Sequence, residues 1–401
     1  MGPLHGVHMG GGSRRPLRPY QVFCVWVAVA LTAAFSLQFA FIGGVGARPI
    51  PDKPNLGTIG ERLNANTIAI VSGNPNGTYL NIAYDLSAVL DNGDDFRVLP
   101  VIGKGGGQNI RDVRFLKGVD LGITQSVILN EFRETNEIGN IDDQIVYIAK
   151  LFNEEMHIVV RADSGIESVE QLAGKKVNFS DPGSGSQIST RNIFKRLGIQ
   201  AQEVNMGQGD AFEKIKSGEI AATILIAGKA AGSMGKLKAA DGFRFLPVPF
   251  AKQLQNDYLP AALEHEDYPN MVDPGASVGT VAVGAVLIAY NWPRQSERYS
   301  RIAKFVDVFF PKLAELQKPP RHPKWHETNL AAVVPGWTRF AAAEEWLVHN
   351  RPQQSAAATA SREQFNQFLA VQRSLGKTDK TGANNEQLFQ EFVKWQAQKR
   401  P

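Results

Sequence analysis

Apolar positions along this chain follow two alternating periods. Short β-branched runs of buried-strand character give way to stretches in which apolar residues recur every three or four positions. Thr67-Ile68-Ala69-Ile70-Val71-Ser72 is such a run, and Tyr79, Ile82, Leu86, Val89 and Leu90 form the stripe behind it. The pattern predicts strand 67–72, helix 78–90, strand 96–102, helix 108–117, strand 119–124 and helix 125–133. Met156-His157-Ile158-Val159-Val160-Arg161 is a further strand, turning at Ala162-Asp163-Ser164-Gly165. A second unit follows: helix 167–173, strand 176–179, helix 187–197, strand 203–206, helix 210–217, strand 220–226, helix 229–239 and strand 243–248. Such alternation argues for parallel, doubly wound sheet in two similar α/β lobes.

The long apolar run from Thr280 to Tyr290 is expected to return to the first lobe, pairing with 156–161 as a two-stranded hinge. Helix 294–318 would then close that lobe. After Lys318-Pro319-Pro320-Arg321-His322-Pro323 the texture changes to short amphipathic patterns rich in Ala, Gln and Glu. These read as helices packed on the body or lying loosely beside it, without a core of their own. The expected organisation is a leader or anchor at 1–47, a linker at 48–66, lobe I at 67–157, lobe II at 158–284, a return segment at 285–318 and a C-terminal helical extension at 319–401.

Three of the predicted strands end in Gly-, Ser- or Asn-rich loops that open into helices: Gly73-Asn74-Pro75-Asn76-Gly77, Gly103-Lys104-Gly105-Gly106-Gly107 and Ser180-Asp181-Pro182-Gly183-Ser184-Gly185-Ser186. A helix start offers free N–H groups and the positive end of the helix dipole, which suits a carboxylate or phosphate. Each start contributes roughly 0.3–1 kcal/mol, up to about 2 when partly buried. Three fall short of the ~8 kcal/mol behind a micromolar affinity. Side chains must supply the remainder. The candidates are Thr78, Tyr79, Gln108, Asn109, Gln125, Ser126, Ser184, Ser186, Gln187 and Lys229, beside the backbone of Gly77, Gly106, Gly185 and Gly228.

The chain has 401 residues, 43% hydrophobic and 20% charged, an ordinary globular composition for about two domains. Residues 1–21 carry Arg14, Arg15 and Arg18 and no acid. An apolar stretch from Val22 to Gly44 and the small residues Val45-Gly46-Ala47 follow, the pattern of a secretory signal cleaved near Ala47. The apolar stretch is also long enough to serve as an uncleaved anchor. Losing those three arginines takes the formal charge from +4 to +1, which leaves no basic surface arguing for nucleic acid. The one cysteine, Cys24, lies in the leader, so a mature chain has no disulfide, cysteine nucleophile or thiolate metal site.

No dinucleotide or Walker pattern is present, and no metal-ligand spacing joins His322, His326 and His349. Neither a cofactor nor a metal is expected. Gly275-Ala276-Ser277-Val278-Gly279 matches the G-x-S-x-G of a hydrolase elbow, but it follows an acidic loop and leads into a strand rather than a helix. A hydrolase is therefore the weaker alternative, and the chain is not expected to be an enzyme. His157, between Met156 and Ile158, reads as a core histidine.

Several motifs over roughly residues 66–315 resemble the TAXI family of solute-binding proteins, the periplasmic receptors of one class of TRAP transporters. They are Gly77-Thr78-Tyr79, Gly105 to Asn109, Asp120 to Ser126, Ile158 to Ile166, Leu172-Ala173-Gly174-Lys175-Lys176-Val177, Pro182 to Ser186 and Thr280-Val281-Ala282-Val283. The resemblance implies a two-lobed, type II periplasmic-binding fold closing on a small organic acid, with TRAP membrane subunits as partner. It also implies departures. Gly106-Gly107-Gln108-Asn109 stands where the family usually has Ser-x-Glu-Asn, and Ser126-Val127 where it has an Asn-Asp or Ser-Asp pair. Lys229 stands where a proline or small residue is common. These changes lead us to expect a positive pocket that prefers a dicarboxylate or a 2-oxoglutarate-like acid to an amino acid. A membrane-anchored sensing ectodomain would use the same pocket.

Overall fold

The computed structural model describes residues 56–350 apart from Asn76 and Asp94; the expected leader and residues 351–401 of the expected extension lie outside the described residues. The chain divides into two compact units, Met1–Ile59 and Gly60–Pro401. In the first, the described residues belong to helix α1 (Leu56–Ala65), which occupies part of the expected linker. Among the described residues no helix is long and apolar enough to cross a membrane.

From Thr67 the elements are β1 (Thr67–Val71), α2 (Tyr79–Leu90), β2 (Arg97–Val101), α3 (Gly106–Phe115), β3 (Leu121–Gln125), α4 (Ser126–Thr135) and β4 (Ile145–Arg161). Then come β5 (Lys176–Asn178), α5 (Gly185–Leu197), β6 (Gln202–Val204), α6 (Gln208–Lys216), β7 (Ala222–Ala227), β8 (Phe243–Phe245), β9 (Leu259–Glu264), β10 (Ser277–Tyr290) and α7 (Glu297–Phe309). A short α8 (Leu313–Leu316) and α9 (Ala341–His349) complete the set.

One sheet runs through both halves in the order β2-β1-β3-β10-β4-β7-β5-β6, with β8 paired to β4 and β9 to β10. In the first half β2, β1 and β3 are parallel and β10 is antiparallel to β3. In the second, β6, β5 and β7 are parallel and β4 is antiparallel to β7. Each half thus has three parallel strands bordered by a long antiparallel strand that continues into the other half. This is the two-lobed α/β fold with a two-strand connection that the motifs led us to expect.

The hinge pairing differs from the expected one. β4 begins at Ile145, and its first part pairs with β10 from Tyr290↔Ile145 to Ala282↔Glu155, with bulges near Gly284 and Leu287. Residues 156–160 pair with β7 instead. Polar Lys150, Asn153, Glu154 and Glu155 interrupt the apolar run, which hid the front of this strand from a hydrophobicity reading.

Three predicted helices are lost or shortened: 167–173 keeps only a single turn at Val169–Leu172, and the other two change for visible reasons. No helix forms over 229–239; Gly228, Gly232 and Gly235 make one costly there, and single turns at Met234–Lys236 and Ala239–Asp241 take its place. Helix 294–318 ends at Phe309 because Pro311 follows, in the turn Phe310–Lys312. The segment after Pro320 contributes to a core that it shares with the first half. Trp325, Phe340 and Leu347 join Ile68, Ile82, Phe305 and Phe309 in the core of the first half.

Candidate functional site

The loops after β1, β2 and β5 bring the starts of α2, α3 and α5 together. Gly105 and Gly106 both have positive φ, +73° and +53°, a conformation that only glycine adopts without strain. Gly105 lies against the Tyr79 ring, where a Cβ would stand 3.3 Å from its edge. Gly106 meets the other half directly: a Cβ there would lie 2.3 Å from the Gly185 nitrogen and 2.5 Å from its α-carbon. Gly107 touches Ile188 of α5 and Phe132 of α4 in the same way. The glycines that suggested a phosphate- or carboxylate-type loop also let two lobes approach backbone to backbone.

Around this contact lies a buried polar network that crosses from one half to the other. Tyr79 Oη donates to Glu154 Oε2 at 2.5 Å. Gln125 also donates to Glu154, and its own Oε1 accepts from Ser189 Oγ of α5 at 2.5 Å. Thr124 Oγ1 donates to Gly106 O at 3.1 Å, and Asn74 Nδ2 to Asp181 Oδ2 at 2.9 Å. Burial raises the Glu154 pKa to about 8; the Tyr79 and Gln125 bonds and Lys324 oppose the rise, while Glu155 adds to it. At neutral pH this carboxyl is mostly protonated.

On the next residue of the strand, Glu155 joins three segments. Its Oε2 accepts from Lys229 N at 2.9 Å and its Oε1 from Lys324 Nζ at 2.6 Å. Beside it, Thr78 Oγ1 donates to Gly228 O at 2.9 Å. Burial pushes the Glu155 pKa up and Lys324 pulls it back.

The Lys229 side chain turns away from this junction. Its Nζ is 2.8 Å from Asp267, 3.7 Å from Glu264, and donates to Ala262 O at 3.0 Å. Burial alone would lower its pKa, but Asp267, Glu264 and Glu155 together raise it. The expected free cation at Lys229 is thus already neutralised within its own half, and it heads no helix. Behind it, burial drives His157 down to about 3, so the ring is neutral. Its Nε2 accepts from Tyr268 Oη at 2.6 Å, and Tyr268 in turn accepts from Ala231 N at 2.9 Å. His157 is the core histidine its sequence setting suggested, and it fixes the loop after Gly228.

The remaining candidates divide. Ser186 Oγ accepts from Ile226 N at 2.8 Å and ties the start of α5 to β7. Ser184 caps α5 by accepting from Gln187 N, while Gln187 reaches Gly183, Glu203 and Asn205 within the second half. Asn109 points into the sheet ends, donating to the carbonyls of Val71, Ser72 and Ile123, and so locks the first half's loops. Gln108 bonds Asp112 on its own helix, and Gly77 closes a turn on Asn74. Ser126 stands beside Gly284 and Lys150 at the bulged part of the hinge.

Glu154, Glu155, Ser189 and Lys324 were not among the sequence candidates. The one signal for the acids was two adjacent carboxylates inside a long apolar run, since buried charges need partners. Lys324 gave no such signal, standing in a Pro-rich segment far from any motif. Ser277 opens β10 opposite Glu264 and is exposed, so no strand-turn-helix elbow exists. A groove of about 410 Å3 lies to one side, between α3–α4 and α5, where Arg111 and Arg191 are held by Glu137 and Glu203. Among the described residues no His, Cys, Asp and Glu cluster is placed to hold a metal ion.

Among solved structures the chain is similar to a periplasmic transporter, at 14% identity over 75% of this chain and 97% of that one, with a TM-score of 0.45. A substrate-binding protein of an ABC uptake transporter from Streptococcus pneumoniae, with bound histidine, shares 14% identity over 67% and 96%, TM-score 0.42. The periplasmic aliphatic sulphonate binding protein from Escherichia coli shares 17% over 71% and 79%, TM-score 0.37. The family match is broader in what it establishes, because it spans residues 70–331 and hence well over half of the sequence: the chain belongs to the NMT1-like family.

Proposed function

We propose that this chain is an exported solute receptor, which clamps a small organic acid between its two halves and hands it to a membrane permease. The observation that carries this reading is the meeting of helix starts from both halves, α3 at Gly106 and α5 at Gly185, beside the buried Tyr79–Glu154–Gln125–Ser189 network. Helix starts favour a carboxylate, and a mostly protonated Glu154 can donate to a second oxygen. An ammonium would need that group ionised. A 2-oxo acid or other carboxylate without an amine therefore fits better than an amino acid. Lys229 has no part in that preference, because Asp267 already holds it.

The TAXI-like motifs favour a TRAP-type permease as partner and the periplasm as the place of action. The exposed strand position of Ser277 gives the hydrolase reading no support. The test is an inventory by mass spectrometry of small molecules released when natively purified protein is denatured. Near-stoichiometric release of a small carboxylic acid is expected. Release of an amino acid or a nucleotide in its place would contradict this reading.

A further inference from the structure

Lys324 comes from a segment outside every motif, yet it lies under the junction of the two halves. Its approach is built from the first half. Asp85 on α2 accepts from His322 N at 2.8 Å and from Trp325 Nε1 at 3.0 Å, which fixes the turn on both sides of the lysine. Trp325 is fully buried beside Phe309, so the turn is anchored in the core. The Lys324 ammonium then spans Glu155 Oε1 and Glu327 Oε1, both at 2.6 Å, with only 2% of its side chain exposed. Glu327 is itself tied to the hinge, since its Oε2 accepts from Asn153 N at 2.8 Å.

The second half rests on this arrangement at one turn. A Cβ at Gly228 would stand 3.1 Å from Lys324 Cγ and 3.2 Å from its Cε, so the lysine stem is the surface on which the turn sits. The next residue, Lys229, donates its N–H to the Glu155 oxygen that Lys324 leaves free. A buried charge that loses its partner is costly, and a carboxylate without Lys324 would take up a proton or turn toward water. Protonation would weaken the acceptor for Lys229 N from a carboxylate to a neutral carbonyl oxygen, and turning away would remove it.

We propose that Lys324 is a positioning residue of the clamp: by fixing the Glu155 carboxylate at the hinge, it holds the Gly228–Lys229 turn of the second half against the first. This deepens the receptor reading, because it rests on the two halves closing on each other. It makes the segment after Pro320 part of the closing device.

The test uses the ligand-free full chain and hydrogen exchange read by mass spectrometry over peptides covering 226–232. A charge-assisted hydrogen bond contributes about 1.5–3 kcal/mol, so Lys324→Met should speed exchange at the Lys229 amide by roughly 10- to 150-fold. Peptides of α7, in the first half's core, should stay unchanged, and Lys324→Arg should restore most of the protection. Glu155→Gln, which removes the charge but keeps an acceptor oxygen, should give a smaller acceleration in the same peptides, and the double variant Glu155→Gln, Lys324→Met no more than Lys324→Met alone. A merely structural lysine would loosen α7 together with the turn and would not distinguish arginine from methionine. Unchanged exchange at 226–232 in Lys324→Met, or additive effects in the double variant, would overturn the proposal. Because the chain is stripped of any bound small molecule before exchange, that outcome stands apart from a failure of the receptor reading, which would show as an absence of bound acid in natively purified wild-type protein.

Discussion

Gly106 and Gly185 meet across the two halves with no space for a side chain between them: a Cβ on Gly106 would lie 2.3 Å from the Gly185 nitrogen. Backbone cannot yield as a flexible side chain would, so the contact admits glycine alone. Gly106→Ala should leave each half folded and force the pair apart. Small-angle scattering should show a larger radius of gyration than wild type. Its positive φ adds about 1–2 kcal/mol of local cost for alanine, which should appear as a modest fall in the unfolding midpoint. An unchanged radius would mean that the halves do not meet at this point in solution.

Glu154 should make stability depend on pH in a defined window. Its pKa rises from 4.5 to about 8 in the folded chain, so between those values the unfolded chain releases a proton that the folded one keeps. The stabilisation is full below about pH 4.5 and is lost as pH rises toward 8. Glu154→Gln keeps the shape and an acceptor for Tyr79 but does not titrate. The variant's midpoint minus that of wild type should therefore increase steadily from pH 5 to pH 8. A difference that is constant over this range would show that Glu154 is ionised in the folded state.

Lys229→Met should change ligand affinity by no more than a few-fold, because the ammonium it removes is paired with Asp267 and Glu264. Partly exposed pairs of this kind contribute about 0–1 kcal/mol. The cost should fall on stability, read by chemical denaturation. A loss of affinity by orders of magnitude, with stability retained, would return Lys229 to the ligand.

Much of the architecture was legible as period. β1, α2, β2, α3, β3 and α4 lie within a few residues of their expected bounds because apolar stripes and glycine stops coincide there. The loops at Gly105–Gly107 and Ser184–Ser186 were recognisable for the same reason. What sequence did not show is direction. Asn109 and Gln187 stand beside those loops, yet they bond within their own halves, since buried carbonyls and capping positions took them first. The acids were hidden in the strand that the hydrophobicity pattern cut short at Met156. Lys324 is distant in sequence by 169 residues from its partner Glu155, a pairing created by the burial of Trp325 and the anchoring of its turn by Asp85.

The two halves are expected to close on a small carboxylate at the starts of α3 and α5. Isothermal calorimetry of wild type and Gly106→Ala with 2-oxoglutarate, succinate and glutamate tests it most directly. Wild type should bind 2-oxoglutarate or succinate at one site, about micromolar or tighter, corresponding to ~8 kcal/mol, and more tightly than glutamate. Gly106→Ala should lose most of that affinity. Equal binding by the two forms, tighter binding of glutamate, or no binding of any of the three by wild type would contradict the account.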